Sequence, residues 1–147
     1  MEKKKLNWFD NVENRPHPWP GLNWLTTSIC VADVRKAVEF YTNAMDMVAI
    51  SELEEKEELL FARIRYRGNN FVINKEQWDF EALSPANTNQ QPPFIFYLYV
   101  DDVKNVVEQM KQRGATLLIE PTQQFWGDLK ARLKDPFGYY WDIAEKL

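Results

Sequence analysis

Read along the chain, the hydrophobic pattern switches between two periods and does so twice in the same order. Residues 24–31 are rich in Thr and β-branched side chains and read as a strand. From residue 33 to about 46 the spacing becomes helical, with Val34, Ala37, Val38, Tyr41 and Met45 on one face. Residues 47–53 and 59–66 return to strand patterning, joined through the acidic residues 54–58, which read as a solvated hairpin tip. Arg67-Gly68-Asn69-Asn70 forms a turn into a further strand over 71–74. A segment rich in Asn, Gln and Pro follows, over residues 75–93. The order then repeats: strand 94–100, helix 102–113 with Gly114 as its left-handed stop, strand 116–120, loop 121–126 and strand 129–134. Asp135-Pro136-Phe137-Gly138 has turn chemistry and leads into a last strand over 139–144.

The repeat is visible in the residues themselves. Val31-Ala32-Asp33-Val34 with Val38 and Glu39 returns 69 positions later as Val100-Asp101-Asp102-Val103 with Val107 and Glu108. In each copy the Asp suits the N-cap, where its carboxylate satisfies a backbone N–H of the first helical turn. A period this long fits two copies of a half-domain better than a solenoid. The expected class is α+β, with two tandem βαβββ modules forming a cupped mixed sheet. Module one spans 22–75, a linker 76–92 and module two 93–147, with an N-terminal arm over 1–21 carrying Trp8, Phe9 and Trp19.

Bulk properties narrow the functional classes. At 147 residues the chain is one domain's worth of core. A net charge of −4 without a dense Lys/Arg block argues against nucleic-acid binding. No apolar run approaches the length of a membrane span, and the opening Glu2-Lys3-Lys4-Lys5 leads into no signal-peptide core. The single Cys30 forms no intrachain disulfide, which makes a reducing cytoplasm the default setting. Six Trp, six Tyr and nine Phe exceed what packing alone asks for, leaving rings for a pocket or an interface.

Gln124-Phe125-Trp126-Gly127-Asp128 followed by Asp135-Pro136-Phe137-Gly138-Tyr139-Tyr140-Trp141-Asp142 resembles the vicinal oxygen chelate superfamily, which holds glyoxalase I, extradiol dioxygenases, and fosfomycin- and bleomycin-resistance proteins. The resemblance covers residues 22–146, and Val100-Asp101-Asp102-Val103 with Gly114-Ala115-Thr116 is similar to its bleomycin-resistance and PhnB-like branch. It implies a cup for a small ligand and a homodimer whose cups lie where subunits meet. In metal-using members a His precedes each helix-capping Asp by seven residues, and a carboxylate follows the Gly of the last turn by four. Those positions here are Thr26, Val72, Ile95 and Asp142. Two aliphatic corners cannot serve a divalent transition metal. The lone histidine, His17, stands between prolines on the arm. Metal-dependent glyoxalase or dioxygenase activity is therefore not expected, nor is any cofactor.

Alternation assigns the rest of the cup. Thr27, Ile29 and Val31 should pack under the first helix, leaving Thr26, Ser28 and Cys30 toward the ligand. Ile95, Tyr97 and Tyr99 should line the opposite wall, and Tyr140, Asp142 and Ala144 the last strand, with Trp126 above. Such a surface suits a small aromatic or cationic ligand, with Asp142 free for a cation or paired to Arg63, Arg65 or Arg132. The leading expectation is metal-independent binding, as in drug or toxin sequestration. The alternatives are a metal-free enzyme using Asp142 as acid/base, and a scaffold or interaction module. Cys30 has no His to activate it as a nucleophile.

Overall fold

The structure, a computed structural model, describes Trp19, residues 21–79 and residues 81–147. The expectations for the rest of the arm, His17 included, lie outside the described residues. The chain runs β1 (Ser28–Val31), α1 (Val34–Ala44), β2 (Val48–Glu55), β3 (Glu58–Tyr66), β4 (Asn69–Lys75), α2 (Pro85–Thr88), β5 (Phe96–Tyr99), α3 (Val103–Gln112), β6 (Thr116–Gln123), β7 (Asp128–Lys134) and β8 (Tyr140–Lys146). This is the expected pair of βαβββ modules.

Each module folds into a four-stranded mixed sheet of the same topology, β1-β4-β3-β2 and β5-β8-β7-β6. The first strand pairs in parallel with the last, the other neighbours antiparallel. The intervening helix allows the parallel return. Both helices start as the repeated Asp implies. The Asp33 carboxylate accepts from the Lys36 N–H and that of Asp102 from the Asn105 N–H, each at 3.1 Å. At the far end of α3, Gly114 takes φ +106, and the Gly114 and Ala115 amides close back onto the Lys111 and Met110 carbonyls.

One core serves both modules. Tyr41 of α1, wholly buried, packs edge-on against Phe71 of β4 and lies 5.6 Å from the Trp141 ring of β8. Trp141 in turn stacks on Phe96 of β5 at 4.3 Å. At the centre of this aromatic cluster is a carboxylate. Asp135 accepts from Tyr41 Oη at 2.5 Å, Trp141 Nε1 at 2.9 Å, and the Phe137 and Tyr139 amides at 2.9 and 3.0 Å. Burial raises its pKa, and the four donors only partly offset that. The sequence marks Asp135 as a turn residue; the structure makes it the polar bolt between modules.

Two elements differ from expectation. The linker holds a short helix, α2, over Pro85–Thr88. It is pinned by Glu76, which accepts from the Ser84 amide and the Asn87 side chain. Its start also presses on the last turn: a Cβ on Gly138, at φ +93, would stand 2.7 Å from Pro85 and Ala86 atoms. Strand β6 runs on through Pro121 to Gln123, where a loop was expected, because its register against β7 shifts between Ile119 and Thr122. An irregular edge of that kind accommodates a proline.

Candidate functional site

The alternation on β7 builds the site. In Asp128-Leu129-Lys130-Ala131-Arg132-Leu133-Lys134, Ala131 and Leu133 are fully buried in the shared core, which turns Asp128, Lys130, Arg132 and Lys134 to the other face. On β5, Tyr97 and Tyr99 project to that same face. Both hydroxyls converge on Asp128 Oδ2, at 2.5 and 2.7 Å, and Trp126 Nε1 joins them at 2.8 Å. One carboxylate thus orients three rings that remain 42%, 49% and 49% exposed. The hydrogen bond from Tyr97, followed by those from Tyr99 and Trp126, holds the Asp128 pKa below the usual carboxylate value despite burial. Burial and the same anion push Tyr97 up to about 12, so the phenol stays protonated at neutral pH.

Asp142 stands across the sheet, opposite Tyr97 on one side and Arg132 on the other. Arg132 donates to both carboxylate oxygens, Nε at 2.7 Å and Nη2 at 3.0 Å, and Lys130 Nζ adds a third contact at 3.2 Å. Burial works to raise the Asp142 pKa, but these donors and their charges outweigh it and the value lies below normal. Of the partners foreseen for Asp142, Arg132 is the one realised and Lys130 is additional. A carboxylate held this way is no longer free for a ligand cation and is a poor general base near neutral pH.

Module one presents different chemistry at the same positions. Ser28 lies beside Val72 on β4, and its hydroxyl accepts from Asn74 Nδ2 at 2.7 Å. Arg63, opposite Val72, donates to Asn70 Oδ1 at 2.7 Å. Thr26 is half-buried, and Tyr140 and Cys30 are intermediate, while Ile95 is 37% exposed. The Cys30 thiol is raised by burial, which fits an unreactive cysteine. Among the described residues no hydrogen bond, ion pair or ring contact joins Thr26, Ser28 or Val72 to Tyr97, Tyr99, Trp126, Tyr140 or Asp142. The structure therefore assembles Tyr97, Tyr99 and Trp126 as one cluster with Asp142 nearby, and leaves the module-one residues apart from it.

A cavity of about 390 Å³ opens at the seam between the modules. Its walls include Leu25, Met47, Phe71, Phe96, Leu98 and Trp141, and Tyr97 and Tyr99 also border it. Thr27 lines it too and is exposed, so the expectation that Thr27 packs under the helix does not hold: β1 begins only at Ser28, and Thr27 keeps a backbone bond to β4, from the Val72 amide to its carbonyl at 2.9 Å, while its side chain borders the cavity. Asp142 is not part of this lining. The four positions that would carry a metal hold a hydroxyl, two aliphatics and an Asp already triply bonded, which do not fit one. Among the described residues no three His, Cys, Asp or Glu side chains group around a common point.

Asp128 and Lys130 were the residues sequence reasoning missed. The signal for Asp128 was present, since it sits in the quoted Trp-Gly-Asp motif and the alternation of β7 is unbroken from it. A strand read from residue 129 leaves Asp128 in the preceding loop, while Lys130 lies inside that strand with nothing local to mark it.

A family model for the glyoxalase/bleomycin resistance protein/dioxygenase superfamily matches residues 21–143, and the chain belongs to that superfamily. An uncharacterised protein of Mycobacterium bovis is 26% identical over 127 residues, 84% of this chain and 83% of that one. Among solved structures, a PhnB protein from Bacillus cereus superposes with a TM-score of 0.65 at 16% identity, covering 84% of this chain and 99% of its own. TnmS3, an antibiotic binding protein from Streptomyces sp. CB03234, does so at 0.60 with 19% identity, covering 83% and 93%. At such identities these structures share the fold.

Proposed function

We propose that this protein binds a small aromatic molecule without a metal, in the manner of sequestration rather than turnover. The observation that carries the reading is the ring cluster of Tyr97, Tyr99 and Trp126, oriented by a single carboxylate and left half open to solvent. Pre-oriented rings lose little entropy when a planar ligand stacks on them. The seam cavity beside Tyr97 and Tyr99 falls in the size range of ligand pockets, roughly 300–1,000 Å³, and can take an apolar extension. The antibiotic-binding role named for one structural neighbour is compatible with this reading. Drug or toxin capture in the cytoplasm is its biological form; no helix of the described residues is long and apolar enough to cross a membrane.

A second copy completing the site belongs to the same proposal. Phe125 is 97% exposed and meets Trp126 edge-on, leaving apolar surface next to the cluster. Light scattering at tens of micromolar tests this, with a dimer expected and a monomer counting against it. For binding itself, thermal-shift screening against planar aromatic and glycopeptide-type drugs should raise Tm for at least one compound. The shift should shrink in Trp126→Ala. Activity of the metal-free acid/base kind would require Asp142 with a raised pKa, and the Arg132 pair lowers it.

A further inference from the structure

Lys130 occupies an unusual place in the ring cluster. Its ammonium lies 5.7 Å from the centroid of Tyr97 and 5.6 Å from that of Trp126, within cation–π range of both. Its side chain is only 15% exposed. An ammonium carries three N–H donors. Among the described residues Lys130 spends one, on Asp142 Oδ2 at 3.2 Å, and that carboxylate is already engaged by Arg132 at both oxygens. The other local anion, Asp128, takes two phenols and an indole on its Oδ2. Lys134 follows on the same face of β7, opposite Tyr140. The Tyr97 and Trp126 rings, which would attract a ligand cation, therefore already have one over them, Asp142 is engaged at both oxygens, and the unspent N–H donors belong to Lys130.

From this arrangement, and resting on the aromatic-binding reading above, we infer that the ligand is an aromatic acid, bearing a carboxylate, phenolate or sulfonate, and that Lys130 sets this charge preference by meeting the acidic group at the edge of the ring cluster. Charge-assisted donors to such an oxyanion are roughly twice as strong as neutral ones. A cationic aromatic must displace or face Lys130 and loses the cation–π attraction the rings would otherwise supply.

The experiment is a fluorescence titration with two planar probes of opposite charge, anionic anilinonaphthalene sulfonate and cationic proflavine. The wild-type protein should bind the anionic probe at least about tenfold more tightly, a difference of about 1.4 kcal/mol. Lys130→Met should weaken the anionic probe and strengthen proflavine, bringing the two together or inverting them. Lys130→Arg, which keeps the charge, should keep the wild-type order and guards against a folding defect in the Met variant. Proflavine binding as tightly as the anion to wild type, or a preference unchanged in Lys130→Met, overturns the inference while leaving aromatic binding intact. Failure of both probes to bind wild type, or binding indifferent to Trp126→Ala, overturns the aromatic-binding reading and this inference together.

Discussion

The two modules share topology, capping and register, yet their sheet faces have diverged at a handful of equivalent places. Ser28 and Val72 pair across module one as Tyr97 and Asp142 pair across module two. Arg63 lies opposite Val72, and Arg132 lies opposite Asp142. The same basic side chain therefore ends on an amide, Asn70, in one module and on a bidentate carboxylate in the other. Module one became a hydroxyl–amide surface and module two an aromatic and ionic one. The repeat conserves what makes the half-domain fold, and the face side chains, which alternation frees from the core, carry the difference.

The largest expected effect breaks what the modules have in common. Asp135→Ala strands two buried ring donors, Tyr41 Oη and Trp141 Nε1, along with two amides. It should lower unfolding free energy by about 3–5 kcal/mol in urea melts, since each stranded donor costs about 1–3 kcal/mol and partial relaxation limits the total. Next comes the ring face. Trp126→Ala should weaken binding of an aromatic acid by about 1–2 kcal/mol in a titration, because a stacked ring contributes about that much. Ser28→Ala in module one should leave the affinity unchanged. Equal losses in both variants would erase the distinction between the faces.

A smaller effect sharpens the Val72/Asp142 contrast. Arg132→Met should cost about 1–2 kcal/mol at pH 7, less than a fully buried pair because the Arg132 side chain is 30% exposed, whereas Arg63→Met should cost less. The pH dependence follows from the lowered Asp142 pKa. A carboxyl whose folded pKa is depressed contributes stability that is present above its unfolded value, about 3.9, and is lost as pH falls through the folded one. The gap between wild type and Arg132→Met should therefore narrow as Tm is followed below about pH 4. Asp135, with its raised pKa, has the opposite sign: its contribution is fully present below the unfolded value and is lost as pH rises through the folded one. Smallest are the caps. Asp33→Ala and Asp102→Ala should each cost about 1 kcal/mol by chemical denaturation, and equally, because both make the same 3.1 Å bond.

Much of this architecture was legible from spacing. The repeated Asp, the helical faces and the Asp-Pro-x-Gly turn are local signals, and each produced the element they imply. What stayed hidden depended on contacts distant in sequence. Asp135 reads as a turn residue because its ring donors, Tyr41 and Trp141, come from opposite modules. The Asp142 partner could be narrowed to three arginines but not chosen until strand register was known. Tyr97, Tyr99 and Trp126 read as site residues from the sequence, yet the carboxylate that gathers them stands one residue before the strand that the pattern predicts. Helix α2 has only four residues and no apolar periodicity to announce it.

The central claim is that the ring face of module two binds an aromatic ligand without a metal. Its most direct test is a titration of anilinonaphthalene sulfonate into protein dialysed against a strong chelator and, separately, into the same protein restored with zinc, nickel, iron or manganese. Equal affinity is expected in all of them, with binding weakened by about 1–2 kcal/mol in Trp126→Ala. Binding that disappears on chelation and returns with one metal would contradict it.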